Sequence, residues 1–411
     1  MPQWTEAQRQ AIDARNSETL VSAAAGSGKT AVLIEHVLTL LREGGRVDRL
    51  LIITFTRAAA AELRERLLNA LSAEAASNRH LRRQMPAMRR AHISTLHVFC
   101  HDVIRRHFQA SDVDPLAKIG ETTMLEPLLT RAVDESMEEL CASEDPEDMA
   151  LVEQYGDAQI VSMARDLYAF LRAQADPTHW LEEKLADPAG EGAKPYLLLL
   201  RKEALMSLEG AMQLCDQGLK VTEQPGGPDY LSSTLENDRL IVESLAAEIR
   251  ADRPVPGAVK FANRPRAPKD GAYDPVLSDR CVELRERVKE LVKEAQSMLP
   301  GDLAEARAEV AYTLPALRAL CRMVQAIDRR YAQYKEERNL LDYNDLEHKA
   351  LQALSEESVR QDVASQFDAI FVDEYQDVSA IQEAVVRRVH NENNRLFMVG
   401  DVKQSIYRFR L

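Results

Sequence analysis

The sequence predicts an α/β protein, a parallel sheet with crossover helices, interrupted by a large all-helical insertion. Three observations predict it. Over residues 19–110 short β-type runs alternate with helix-type stretches, the texture of strand–helix–strand units. From about residue 116 to 340 long charged helical patterns take over, with hardly any strand signal. After residue 365 the β texture returns in FDAIFVD (367–373) and RLFMVG (395–400). The expected organisation is therefore one α/β domain in two parts, 1–115 and 336–411, around a helical insertion at 116–335. At 411 residues the chain also exceeds what one ordinary core organises.

The first three strands are expected at TLVSA (19–23), LLIITF (50–55) and HIST (92–95). Each leads into a helix, at 29–42, 57–72 and 96–108. Within the insertion, Leu284, Val288, Leu291, Ala295 and Met298 recur at spacings of four and three, one face of a helix. PGGP (225–228) and the stretch 253–275 break the helical pattern, and the second reads as a long mobile loop. Two strongly basic segments, 79–93 and 260–269, each read as a solvated loop when taken alone.

Composition narrows the class. The chain is 45% hydrophobic and 29% charged, an ordinary soluble composition. It has no run of 18 apolar residues, and the start MPQWTEAQRQ lacks a signal-peptide pattern. Cys100, Cys141, Cys215, Cys281 and Cys321 are dispersed, with no CxxC pair. They read as free thiols in a reducing cytoplasm and argue against a zinc or iron–sulfur site. A formal net charge of −14 argues, taken alone, against nucleic acid as a partner, because phosphate contacts need lysine and arginine. Such a sum hides local patches.

Chemistry enters with SAAAGSGKT, which follows the first strand and opens a helix. Gly26, Ser27 and Gly28 let the backbone fold around an anion with N–H groups pointing inward. The helix N-terminus adds partial positive charge. Lys29 is placed to neutralise β- and γ-phosphate oxygens, and the Thr30 hydroxyl to bind Mg²⁺. The usual GxxxxGKS/T pattern wants glycine at position 23, where Ala23 stands. FVDEYQD (371–377) supplies the acidic partner. Asp373 falls at the C-terminal end of an apolar strand, where parallel sheets bind ligands, and is expected to hold the metal. Glu374 is expected to polarise an attacking water.

Seven ordered stretches now stand in the chain: WTEAQRQAI (4–12), AAAGSGKT (23–30), ITFTRAAAAELRERL (53–67), ISTLHVFC (93–100), LDYNDLEHKAL (341–351), FVDEYQD (371–377) and MVGDVKQSIYRFR (398–410). On these the chain resembles superfamily 1 helicases of the UvrD/Rep/RecB type. GDVKQSIYRFR and LDYNDLE tilt the resemblance towards the AddA (RexA) family, helicase-nuclease subunits of bacterial AddAB complexes. The resemblance implies a RecA-like P-loop NTPase domain, ATP and Mg²⁺ as cofactors, and a cytoplasmic setting. The partners it implies are single-stranded and double-stranded DNA and an AddB-type subunit.

Site roles follow from the same resemblance. Ala25, Gly26, Ser27, Gly28, Lys29 and Thr30 wrap the nucleotide, with Gln404 and Arg410 beside it. Gln8 looks like the glutamine that reads adenine, although Thr5 and Gln8 also spell a capping box. Gln404 looks like the γ-phosphate sensor, since an amide can donate to phosphate and accept from water. Tyr407 and Phe409, alternating with arginines, look like base-stacking residues, worth about 1–3 kcal/mol per base. Phe409 stands where relatives usually carry tryptophan. Phe55 looks like a base contact, with Thr54, Thr56, Thr95 and His97 near backbone phosphates. Packing beneath the sheet edge is the alternative for Phe55 and His97. Relatives often show Asn-Lys where Arg57-Ala58 stands, so no lysine role transfers.

Motors of this kind bind ATP between two RecA-like domains, the second supplying an arginine worth about 10³–10⁵ in rate. The sequence ends at Leu411, so the chain is expected to be an N-terminal piece that binds Mg–ATP weakly and hydrolyses it near background. The implied activity is that of an ATP-dependent 3′–5′ DNA helicase/exonuclease in double-strand break repair by recombination. A stand-alone UvrD-like or RecB-like helicase is the alternative. A non-hydrolysing switch or scaffold has no need of Lys29, Asp373, Glu374 and Gln404 together.

Overall fold

The structure, a computed structural model, describes residues 4–23, 27–190, 192–251, 253, 259–268, 273–299 and 303–401. Contacts divide the chain into two compact units, Met1–Trp180 with Leu320–Leu411, and Leu181–Ala319.

The first unit holds the sheet. The N-terminal part supplies β1 (Glu18–Ser22), β2 (Leu50–Thr54) and β3 (His92–Thr95). β4 (Lys118–Ile119) and β5 (Leu340–Leu341) pair with each other as a short ribbon. β6 (Ala369–Val372) and β7 (Arg395–Gly400) return from the far end of the chain. Five strands form one sheet in the order β1-β7-β6-β2-β3, parallel at every pairing. All five expected strands are present, each within two residues of its expected bounds.

Alternation along the central strands builds two cores. Leu51, Ile53, Ile370, Val372, Leu396 and Met398 pack with helices Leu96–Arg106, Tyr343–Leu354 and Ala380–Val389. Leu50, Ile52, Ala369, Phe371, Phe397 and Val399 pack with helices Lys29–Arg42, Arg57–Ala75 and Arg79–Ala87. β2 and β6 are buried at every position, as parallel strands covered on both faces are. β1, on the edge, leaves Leu20 57% exposed.

This strand order places β7 between β1 and β6. Ala23, just after β1, donates its N–H to the Gly400 carbonyl at 3.0 Å, and the turn after β6 packs on the same glycine. A Cβ there would lie 2.9 Å from Gln376 Oε1 and 3.1 Å from the Gln376 backbone nitrogen. Glycine at this position lets the turn after β6 lie directly against the end of β7.

Helices Thr122–Ala142, Pro146–Gln154 and Asp157–Arg172 also belong to the sheet-bearing unit. The last of them reaches the LDYNDLE helix through Arg172, whose carbonyl lies 3.1 Å from His348 Nε2. Asp342 and Asp345 form a capping box at the start of helix Tyr343–Leu354. Lys335 donates to Asp342 Oδ2 at 2.7 Å and also to Asp345. Arg172 donates to Asp345 Oδ1 at 3.0 Å.

In the second unit, helices Ala193–Thr222, Ser232–Arg250 and Pro275–Ser297 share a core that includes Leu208, Cys215, Val242, Leu245, Val288 and Val292. The buried face of the last helix runs through Cys281, Arg285, Val288, Val292 and Ala295, one position round from the expected Leu284–Met298 stripe. Arg285 can occupy that face because Asp238 meets it there at 2.5 Å, and a buried charge persists only when paired. Arg285 also donates to the Ala262 carbonyl at 2.5 Å, and Val259 and Phe261 pack on the same core. Residues 259–268, expected as loop, are thus tied down at one end. The basic segment 79–93, by contrast, is not a loop: Arg79–Ala87 is helical, capped by Asn78, with Leu81 and Gln84 buried.

Candidate active site

Gly28 precedes helix Lys29–Arg42 in a left-handed conformation, φ +83°, which glycine adopts without a steric penalty. The free N–H groups of the helix start then face the loop, with the positive end of the helix dipole behind them. Gln8 serves two contacts at once. It completes the capping box of helix Glu6–Ile12 with Thr5, and its Nε2 donates to the Ser27 carbonyl at 2.9 Å.

The acidic side forms at the end of β6. The Asp373 N–H extends the ladder to the Ile53 carbonyl at 2.9 Å, which leaves its carboxyl 8% exposed at the C-terminal end of the sheet. Burial, and then the neighbouring Glu374 charge, push Asp373 up to about 6. Glu374 takes the left-handed conformation, φ +54°, uncommon for a side-chain-bearing residue and frequent at functional turns. That turn brings Glu374 Oε2 to 3.2 Å from Lys29 Nζ. Gln376 Nε2 donates to Glu374 Oε2 at 2.7 Å and to Asp377 Oδ2 at 3.3 Å, while its Oε1 accepts the Asp401 N–H at 2.8 Å. One amide therefore ties the acidic turn to the end of β7. Sequence reasoning gave Gln376 no role; an amide flanked by carboxylates in DEYQD was the available signal.

Thr30, Asp373, Glu374, Gln376 and Asp377 line one cavity of about 480 Å³, shared with Phe55 and Thr56. Among the described residues no group of three or more His, Cys, Asp or Glu side chains can hold a metal by itself. A hydroxyl and a carboxylate on one wall do fit a hard cation that takes its remaining oxygens from ligand and water. Burial and the Glu374 charge disfavour the ionised form of Asp373, and a cation bound there would favour it.

The expected DNA contacts gather beside this cavity. Phe55, Thr95 and His97 line a second cavity of about 320 Å³ with Arg57, His101 and Tyr343. Thr54 donates to the Thr56 carbonyl at 3.1 Å. The Thr56 hydroxyl accepts the Ala59 N–H at 3.0 Å as the cap of helix Arg57–Ala75. Thr95 is buried at the start of helix Leu96–Arg106. His97 Nε2 lies 3.1 Å from Glu347 Oε1. Ala25, Gly26, Gln404, Tyr407, Phe409 and Arg410 lie outside the described residues. No helix among the described residues is long and apolar enough to cross a membrane.

Residues 4–411 match the UvrD/REP helicase N-terminal domain. Curated relatives named as subunits of ATP-dependent helicase/nucleases are similar along the whole chain. That of Alkaliphilus oremlandii is 38% identical over 430 residues, covering 100% of this chain and 36% of the relative. That of Alkaliphilus metalliredigens is 37% identical over 428 residues, with 100% and 36% covered. That of Bacillus licheniformis is 37% identical over 440 residues, with 99% and 36% covered. The chain spans about 36% of the length of these relatives. A phosphate-type loop held against an acidic strand end, on a sheet assembled from both ends of the sequence, is thus accompanied by similarity along its full length, and the chain belongs to the UvrD/REP helicase N-terminal domain family.

Proposed function

We propose that residues 1–115 and 336–411 form the ATP-binding first motor domain of an ATP-dependent 3′–5′ DNA helicase/exonuclease subunit that works in double-strand break repair by homologous recombination. Residues 116–335 are its helical insertion, which contains the compact unit Leu181–Ala319. The observation that carries this reading is the Lys29–Glu374 contact, which joins side chains 345 positions apart beside a cavity that Thr30 and Asp373 both line. The names of the relatives support the wider activity. In this reading the cofactors are ATP and Mg²⁺, the substrates single-stranded and double-stranded DNA, the compartment the cytoplasm, and the partner an AddB-type subunit.

In this reading the roles divide as follows. Residues 25–30, with Gln8, Gln404 and Arg410, contact the nucleotide. Thr30 and Asp373 hold the magnesium ion, which when bound neutralises charge on the phosphate oxygens. Lys29 exchanges Glu374 for those oxygens. Glu374, released from the ammonium and aimed by Gln376, orients water for attack and accepts its proton. Phe55, Thr56, Thr95, His97, Tyr407 and Phe409 contact DNA.

Titration of the chain with a fluorescent ATP analogue in Mg²⁺ tests the reading. Binding should saturate, and Lys29→Ala should weaken it about 10- to 100-fold, the worth of a charged hydrogen bond of about 1.5–3 kcal/mol. Undiminished affinity in a folded Lys29→Ala variant would remove the loop from the site.

A further inference from the structure

We propose that Glu347, together with Gln382, is a positioning relay through which the acidic turn after β6 sets His97. Glu347 lies on helix Tyr343–Leu354 and is 2% exposed. Its Oε1 meets two side chains, accepting from Gln382 Nε2 at 2.7 Å and lying 3.1 Å from His97 Nε2. A carboxylate this buried persists only where donors satisfy it.

Gln382 leads back to the nucleotide side. Its Oε1 accepts the Ser379 N–H at 3.3 Å, and the Ser379 hydroxyl accepts the Gln382 N–H at 3.5 Å. This capping box opens helix Ala380–Val389, two residues after Asp377. Asp377 in turn is held by Gln376, which also holds Glu374, the partner of Lys29. Every link from the ammonium to Glu347 is a hydrogen bond or a short stretch of backbone, and a 3.1 Å contact closes the last step to His97.

On its other side the His97 ring meets Tyr343, with centroids 4.9 Å apart, and both line the second cavity with Phe55. His97 is thus presented to that cavity beside a carboxylate whose amide donor, Gln382, lies on the helix that follows the acidic turn. When phosphate takes Lys29 from Glu374, the turn re-forms its hydrogen bonds, and the start of helix Ala380–Val389 carries the change to Glu347. Such coupling requires that both sites bias one element; that element is the segment 374–382. The inference rests on the nucleotide reading above.

A Glu347 that merely filled the core would stabilise the fold without reporting nucleotide. The test is therefore spectroscopic. The imidazole ¹⁵N resonances of His97, assigned by their loss in His97→Gln, are followed as Mg²⁺ and a non-hydrolysable ATP analogue are added to the whole chain. In the wild type they should move and saturate with nucleotide occupancy. In Glu347→Gln and in Gln382→Ala the movement should be lost, while nucleotide affinity stays within about twofold, as expected for sites not in contact. Glu347→Gln keeps the shape and removes the charge; Gln382→Ala cuts the other link and serves if the first variant does not fold. A wild type that binds nucleotide without moving His97, or variants that keep the movement, overturns the relay alone. A wild type that binds no nucleotide overturns the relay together with the function beneath it.

Discussion

Asp373 and Glu374 are adjacent, yet the fold gives them opposite environments. Glu374 swings out to Lys29, while Asp373 stays buried and is pushed up from 3.8 to about 6. A folded carboxyl that holds its proton more tightly than the unfolded chain contributes stability that is fully present below about pH 4 and is lost as pH rises through about 6. Above that, ionised Asp373 costs about 3 kcal/mol. Asp373→Asn should therefore raise the melting temperature near pH 7.5, change it little near pH 4, and abolish Mg²⁺-dependent nucleotide binding. Melts at the two pH values, with and without Mg–nucleotide, check this; equal destabilisation at both would contradict it. At this scale Lys29, Thr30, Asp373 and Glu374 were readable because their motifs are local and sit at strand ends. Glu347 and Gln376 were not, because their partners come from turns and helices that only the tertiary fold brings near.

Among elements, the buried strands were the most readable, since β2 and β6 are apolar at every position that both faces cover. Helix faces were less so where a charge enters the core. Pattern reading leaves arginine outside, and Arg285 lies inside because Asp238, 47 positions away, is there to meet it. The LDYNDLE helix shows the same physics more strongly. Lys335 is 3% exposed and serves Asp342 and Asp345 together. Lys335→Met should cost about 3–5 kcal/mol, because it leaves buried Asp342 without its ammonium and Asp345 with Arg172 alone, rather than because it removes attraction. Adding Asp342→Asn should return part of that loss. Urea denaturation of the two single variants and the double gives the coupling directly, and strictly additive losses would show that the carboxylates find other donors.

For the whole molecule, texture and contact divide the chain differently. Composition turns helical at about residue 116, but helices between 122 and 172 pack in the sheet-bearing unit, and the separate unit is Leu181–Ala319. Texture reports which elements form, whereas cooperativity follows which cores they share. Two cores predict two responses to heat, since chains of this size commonly depart from all-or-none unfolding. Leu208, 1% exposed in the three-helix core, when replaced by Ala should destabilise that unit by about 2–5 kcal/mol. Mg–nucleotide, bound at the sheet, should stabilise the other unit by about 2.7 kcal/mol at a hundredfold excess over Kd. Calorimetry should then show Leu208→Ala lowering one transition and nucleotide raising another, each leaving its neighbour in place. If both changes moved a single transition, the two cores would melt as one, and the division by contact would describe packing without describing stability.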